Sequence, residues 1–210
     1  MGKGNYGFMT KYLRQLIAIV PIVVALVIPA AAAEQKAVFA GGCFWGVEAV
    51  FEHVRGVIDV RSGYAGGTKG TADYESVSSA TTKHAEAVEI RFDPARVTYE
   101  QLLYVFFTVA HDPTEVNRQG PDVGPQYRSA IFYTDDKQKK AASGFILALE
   151  SSKALHQQVA TEVVPLVEFF VAERYHQDFL RNNPTDPYIV AHDLPKLQAL
   201  KEKFSELYKK

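Results

Sequence analysis

Five stretches of the chain carry apolar residues in strand-like patterns, and five others repeat them at helical spacing. Lys36 to Ala40 is short and apolar. Val57 to Tyr64 and His84 to Phe92 alternate apolar with polar positions, as a strand with one buried face does. Arg128 to Tyr133 is rich in β-formers, and Val163 to Val171 is apolar and aromatic. The first predicted helix starts around Cys43 and runs to about Val54. The second opens with Thr98 as N-cap and Gln101 three residues on, a capping-box pattern, with Leu102, Leu103, Phe106 and Ala110 on one face. The third covers Asp135 to about Ala154, and the fourth runs from near Ala172 to just before Pro184. A last helix, about Leu194 to Tyr208, follows Asp193 as cap and has Pro195 in its first turn.

Read in order, these elements give β-α-β-β-α-β with extra C-terminal helices. That order predicts an α+β two-layer sandwich of the ferredoxin-like plait type. An open α/β sheet is the competing arrangement, but no helix is predicted between the strands at Val57 and His84. Two segments fit no element. Ser62 to Lys83 is rich in Gly, Thr and Ser, and His111 to Gln126 holds three prolines and two glycines. Loops of that length in a compact domain are usually functional or disordered.

The N-terminus follows another pattern. Lys3, Lys11 and Arg14 precede a nearly unbroken apolar run from Leu16 to Ile28, then Pro29 and four alanines before Glu34. This is the layout of a secretory signal peptide over residues 1–33. The run is short for a membrane span of about 20 residues, though an uncleaved anchor is the alternative. The expectation is an exported protein, periplasmic or secreted, with one domain over residues 34–210. Without the three leading cations, the remainder carries 20 basic and 24 acidic residues. That mildly acidic balance argues against a nucleic-acid partner.

Cys43 is the one cysteine, so an internal disulfide is ruled out. In an exported chain, a lone cysteine reads as a reactive thiol. It sits in Gly41-Gly42-Cys43-Phe44-Trp45-Gly46, where a strand turns into a helix. Helix amides facing the sulfur are expected to lower its pKa, and Gly42 would let a substrate approach the backbone. The plainer alternative is an inert buried thiol. Glu86 shares a strand face with His84, Val88 and Ile90. If that face is the core, its pKa rises and it can act as an acid near neutral pH; a solvated strand-end carboxylate is the other reading. Glu89, on the opposite face, is the natural control. Tyr74, Tyr127 and Asp122 lie in the two long loops, where phenols could donate to a substrate oxygen or merely build the loops. Phe44 and Trp45 could be core, or an apolar wall beside a nucleophile. A Cys43–His176 pair lacks flanking protease signatures, and six scattered histidines give no metal-ligand spacing.

Taken together, these blocks resemble the peptide methionine sulfoxide reductase A family. They are Gly42-Cys43-Phe44-Trp45-Gly46, Gly63-Tyr64-Ala65-Gly66-Gly67, Tyr74-Glu75-Ser76-Val77, His84-Ala85-Glu86-Ala87-Val88, Gly120-Pro121-Asp122-Val123-Gly124, Gln126-Tyr127-Arg128-Ser129, and Ala172-Glu173 with Tyr175-His176-Gln177. The resemblance runs from about Ala37 to Tyr208. It implies a plait-type α+β fold and reduction of the S epimer of methionine sulfoxide, free or in proteins, with no bound cofactor or metal. Cys43 would attack the sulfoxide sulfur. Glu86 would protonate its oxygen, helped by Tyr74 and Tyr127, with Asp122 a polar member of the pocket. Phe44 and Trp45 would receive the substrate methyl beside Gly42 and His84. The chain departs from the family at Ala80 and Lys83, where glycine is usual, and in lacking the C-terminal resolving cysteines many members carry. An external thiol, from a thioredoxin-like protein or a small molecule, would then have to reduce the Cys43 sulfenic acid. The chain is expected to act as a monomer. A single-cysteine thiol peroxidase and a non-catalytic module binding oxidised methionine are the competing functions.

Overall fold

The computed structural model describes residues 33–210; the signal-peptide expectation falls, but for its last residue, outside the described residues. The elements are β1 (Gln35–Gly41), α1 (Phe44–Glu52), β2 (Val57–Ala65), α2 (Tyr74–Ser78), β3 (Ala85–Phe92), α3 (Tyr99–Val105), β4 (Arg118–Gln119), β5 (Asp122–Val123), β6 (Ser129–Tyr133), α4 (Asp136–Ser151), β7 (Glu162–Pro165), β8 (Phe169–Val171), α5 (Phe179–Asn182) and α6 (Leu194–Lys203). This is a mixed α+β fold. Six strands form one sheet in the order β7-β6-β1-β3-β2-β8. Every pair is antiparallel except β6 with β7.

The sheet is buried on both faces, and the residues on each face differ in size. Phe39, Tyr64, Val88, Ile90 and Ile131 pack into the main core with α1, α3 and α6. Phe39 sits among Phe51, Tyr99 and Phe106, with ring centroids 5.6, 5.9 and 4.8 Å away. The other face carries Ala40, Ala65, Ala85, Ala87 and Ala130, with Val38 and Phe132. Small side chains let that face close on itself, so the sheet curls around it.

The curl explains a departure from the expected strand Val163–Val171. That stretch splits into β7 and β8, which sit on opposite edges of the sheet. Residues 166–168 join them, and the four Cα steps from Pro165 to Phe169 reach only about 14 Å. The two edges must therefore approach each other.

The expected helix from Ala172 to Pro184 does not form. A 3-10 turn at Arg174–His176 is followed by Asp178 in the left-handed region (φ 54°) and the four-residue α5. Gln177 supplies the competing interaction. Its amide donates to the carbonyls of Ser62 and Ala172 at 3.0 Å each, and its oxygen accepts from Ser62 N–H at 3.0 Å. It takes the place of the strand partner that β2 lacks beyond β8. The last helix also ends early, at Lys203, and Asp193 does not cap it: its carboxylate turns inward to Lys196 Nζ at 3.2 Å. The loop Ser62–Lys83 holds the unforeseen α2, capped by Asp73 accepting from Ser76 N–H. The Thr98–Gln101 capping box is present in both directions.

Candidate active site

The carboxyl end of β1 delivers Cys43. Gly42 has φ +93°, and a Cβ there would lie 2.6 Å from the Gln119 side chain, so only glycine fits this turn. Cys43 is the N-cap residue of α1 but makes no side-chain cap bond. Glu86 of β3 fills that role instead: the first helical amide, Phe44 N–H, donates to Glu86 Oε2 at 3.0 Å. One hydrogen bond thus holds the carboxyl against the turn that carries the thiol.

Burial governs both groups. Glu86 is 3 % exposed, and desolvation lifts its pKa to about 8; the Phe44 amide pulls it back and Asp122 adds to the rise. Glu86 is therefore mainly protonated at neutral pH. The thiol behaves opposite to expectation. Burial pushes Cys43 well above the ordinary cysteine range, aided by the Glu86 and Asp193 carboxylates, and the Trp45 amide opposes only part of this. Desolvation at 8 % exposure outweighs the helix start. A protonated Glu86 adds no charge repulsion, so a neutral acid beside a neutral thiol is the self-consistent resting state.

The tyrosines and Asp122 join the same pocket. Burial raises the Tyr127 phenol, and Glu86, Asp122, Cys43 and Tyr74 raise it further. Tyr74 responds to burial and then to Glu86, Cys43 and Asp122. It is held through its backbone, whose N–H donates to Glu173 Oε1 at 2.8 Å, while Glu173 Oε2 accepts from Tyr64 O–H at 2.8 Å. Glu173 thereby braces the Tyr74 loop, with the Tyr74 ring packed 4.7 Å from His176. Asp122, on β5, accepts from Tyr188 O–H, a residue sequence reasoning passed over. Burial and then the neighbouring Cys43 raise the Tyr188 phenol.

Phe44 and Trp45 stand in one aromatic wall with His176, and Phe44 is part of the main core. Phe44 is buried, 4.9 Å from His176 and 5.9 Å from Tyr64. Trp45 stacks on Phe179 at 3.6 Å and 6° and meets the Tyr188 edge at 6.0 Å. Its indole N–H donates to His176 Nδ1 at 3.2 Å. His176 is thus an acceptor that fixes the indole, and burial lowers its pKa. His84 is fully buried away from this wall. Its Nε2 pairs with the Thr68 carbonyl at 3.0 Å, and its ring packs on Tyr64 and Phe170. It holds the Gly67–Thr71 loop from below.

A thiol, a protonated carboxylic acid, phenol donors and an aromatic wall can together attack an electrophilic atom while protonating an oxygen on it. Comparison with known proteins agrees. The family model "Peptide methionine sulfoxide reductase" matches residues 35–208. Peptide methionine sulfoxide reductase MsrA 2 of Synechocystis sp. is 57% identical over 175 residues, covering 83% of this chain and 82% of that protein. The protein of the same name from Mesorhizobium japonicum is 53% identical over 179 residues, covering 85% and 92%. Among solved structures, reduced Mxr1 of Saccharomyces cerevisiae superposes with a TM-score of 0.66 at 31% identity, covering 72% of this chain and 87% of that one. Methionine sulfoxide reductase A of Corynebacterium diphtheriae gives 0.63 at 33%, covering 72% and 76%. The chain belongs to the peptide methionine sulfoxide reductase family, and it is an enzyme that reduces methionine sulfoxide.

Proposed function

We propose that Cys43 is the nucleophile and Glu86 the acid in reduction of the S epimer of methionine sulfoxide. The observation that carries this reading is the Phe44 N–H···Glu86 bond, which holds a protonated carboxyl at the turn bearing the thiol. Cys43 Sγ bonds to the sulfoxide sulfur as Glu86 gives its proton to the oxygen, and the thiol proton restores Glu86. The hydroxyl then passes to Cys43 Sγ as the bond between the two sulfurs breaks. Methionine leaves and a sulfenic acid remains, so one thiol proton and one oxygen are accounted for. Tyr74 and Tyr127 donate to the sulfoxide oxygen, and Asp122, held by Tyr188, is a polar member of the same pocket. Phe44 and Trp45 take the substrate methyl, and Gly42 keeps the approach to the thiol open. His84 acts by supporting the loop that leads to Tyr74.

No second cysteine exists, so an outside thiol condenses with the sulfenic acid, releasing water. A second thiol then releases Cys43 as the external disulfide forms. We assign this role to a thioredoxin-like protein or a small thiol. The reading includes a secretory signal over residues 1–33, followed by a single domain acting as a monomer outside the cytoplasm. The central order β6-β1-β3-β2, with α1 and α3 as crossovers, supports reading the core as a ferredoxin-like plait.

Turnover of the separated sulfoxide epimers with excess dithiol tests these roles. Cys43→Ser should be inactive. Glu86→Gln should lose roughly 10²–10⁴-fold in kcat/KM. Glu89→Gln, which breaks only the 3.0 Å pair with Lys36 on the other strand face, should stay within about twofold of wild type. Equal losses at Glu86 and Glu89, or turnover by Cys43→Ser, would sink the assignment.

A further inference from the structure

A cavity of about 670 Å³ opens on the concave side of the sheet, away from Cys43. Its volume lies in the range of roughly 300–1,000 Å³ that suits a small molecule. Phe132, Val164 and Pro165 make an apolar floor, and Val167 stands at the mouth 92 % exposed. The rim is cationic and already braced. Arg128 donates to the carbonyls of Pro125 and Lys83 at 3.0 Å each, and its Nε faces Glu162 at 3.4 Å. Gly66, at φ +93°, leaves room for this strut; a Cβ there would lie 2.9 Å from Arg128 Nη2 and 3.0 Å from the Lys83 carbonyl. Arg128 and Glu162 offset each other, so Lys83 leaves the wall with one net positive charge.

An apolar floor beneath one cation is complementary to an apolar body with one anionic head. We propose that this cavity binds a small amphiphilic anion, a single alkyl chain or aromatic ring bearing one carboxylate or sulfonate. The reductase chemistry does not use it, because Cys43 belongs to the core on the opposite face and Glu86 pairs across the strands with Tyr64 of that core. Its walls nevertheless adjoin the catalytic loops: Lys83 lies three residues before Glu86, and Arg128 follows Tyr127.

The test is fluorescence titration of the purified protein with 8-anilinonaphthalene-1-sulfonate, followed by displacement with decanoate or decanol. The expected result is one saturable site from which decanoate displaces the probe at concentrations roughly tenfold or more below those of decanol. Lys83→Glu and Val167→Glu should each weaken binding by roughly tenfold or more. Both side chains are exposed, and circular dichroism should confirm that both variants fold. Val190→Glu, an exposed apolar site elsewhere, should leave binding unchanged. Absence of saturable binding, equal displacement by decanol, or undiminished binding in both Lys83→Glu and Val167→Glu would overturn the proposal.

Discussion

At the scale of single residues, the site runs on two displaced pKa values with one cause. Burial raises both Cys43 and Glu86, which turns a helix-start thiol into a neutral one and a strand carboxylate into a neutral acid. Alkylation of Cys43 by iodoacetamide should therefore accelerate with pH without levelling off in the ordinary cysteine range; a plateau below pH 8 would mean that the helix amides outweigh burial. In the proposed mechanism Glu86 must be protonated, so kcat/KM should fall as pH rises through about 8. That falling limb should vanish from the residual activity of Glu86→Gln. Ala80 makes a different residue-scale case. It stands at φ +61°, a conformation that costs an alanine roughly 1–2 kcal/mol and a glycine little. Ala80→Gly returns some unfolded-state entropy, about 0.4–1 kcal/mol. The net expectation is a small rise in Tm, measurable by calorimetry, with unchanged KM.

At the scale of elements, a buried acid on α1 is tied to the backbone of β2. Glu48 of α1 is 2 % exposed, its pKa lifted by burial to about 8, and it accepts from Ser62 N–H at 3.3 Å. A folded-state pKa above the unfolded value means the folded chain binds more protons between about pH 4.5 and 8. The stabilising contribution is complete below that window and is lost as pH rises through it. Glu48→Gln keeps an acceptor for Ser62 without the charge, so its Tm should exceed wild type at pH 8 and match it at pH 5. A difference of the opposite sign would refute a desolvated carboxyl there. The elements also mark how far the sequence could be read. Thr98 with Gln101, and the alternation around Glu86, were legible because the controlling contacts are local. The break between β7 and β8, and the loss of the helix after Ala172, were not. The first depends on a curl set by alanines on four other strands, and the second on Gln177 reaching back 115 residues to Ser62. Tyr188 escaped for the same reason, since its partner Asp122 is 66 residues away.

At the scale of the whole molecule, the curled sheet brings the carboxyl ends of β1 and β2 and the amino ends of β3 and β6 to one edge. Cys43, Tyr74 and Tyr127 follow or precede those ends, Glu86 is the second residue of β3, and C-terminal segments supply Glu173, His176 and Tyr188 around them. Assembly of the site therefore draws on segments from across the described residues, and in the proposed cycle a thiol from outside them completes turnover. Mixing the reduced enzyme with excess methionine S-sulfoxide in the absence of any thiol separates these two requirements most directly. The expected result is a single burst of one methionine per chain, with Cys43 one oxygen heavier by intact mass and reactive toward a sulfenic-acid trap. Continued methionine formation without thiol, or a burst that leaves Cys43 unoxidised, would contradict it.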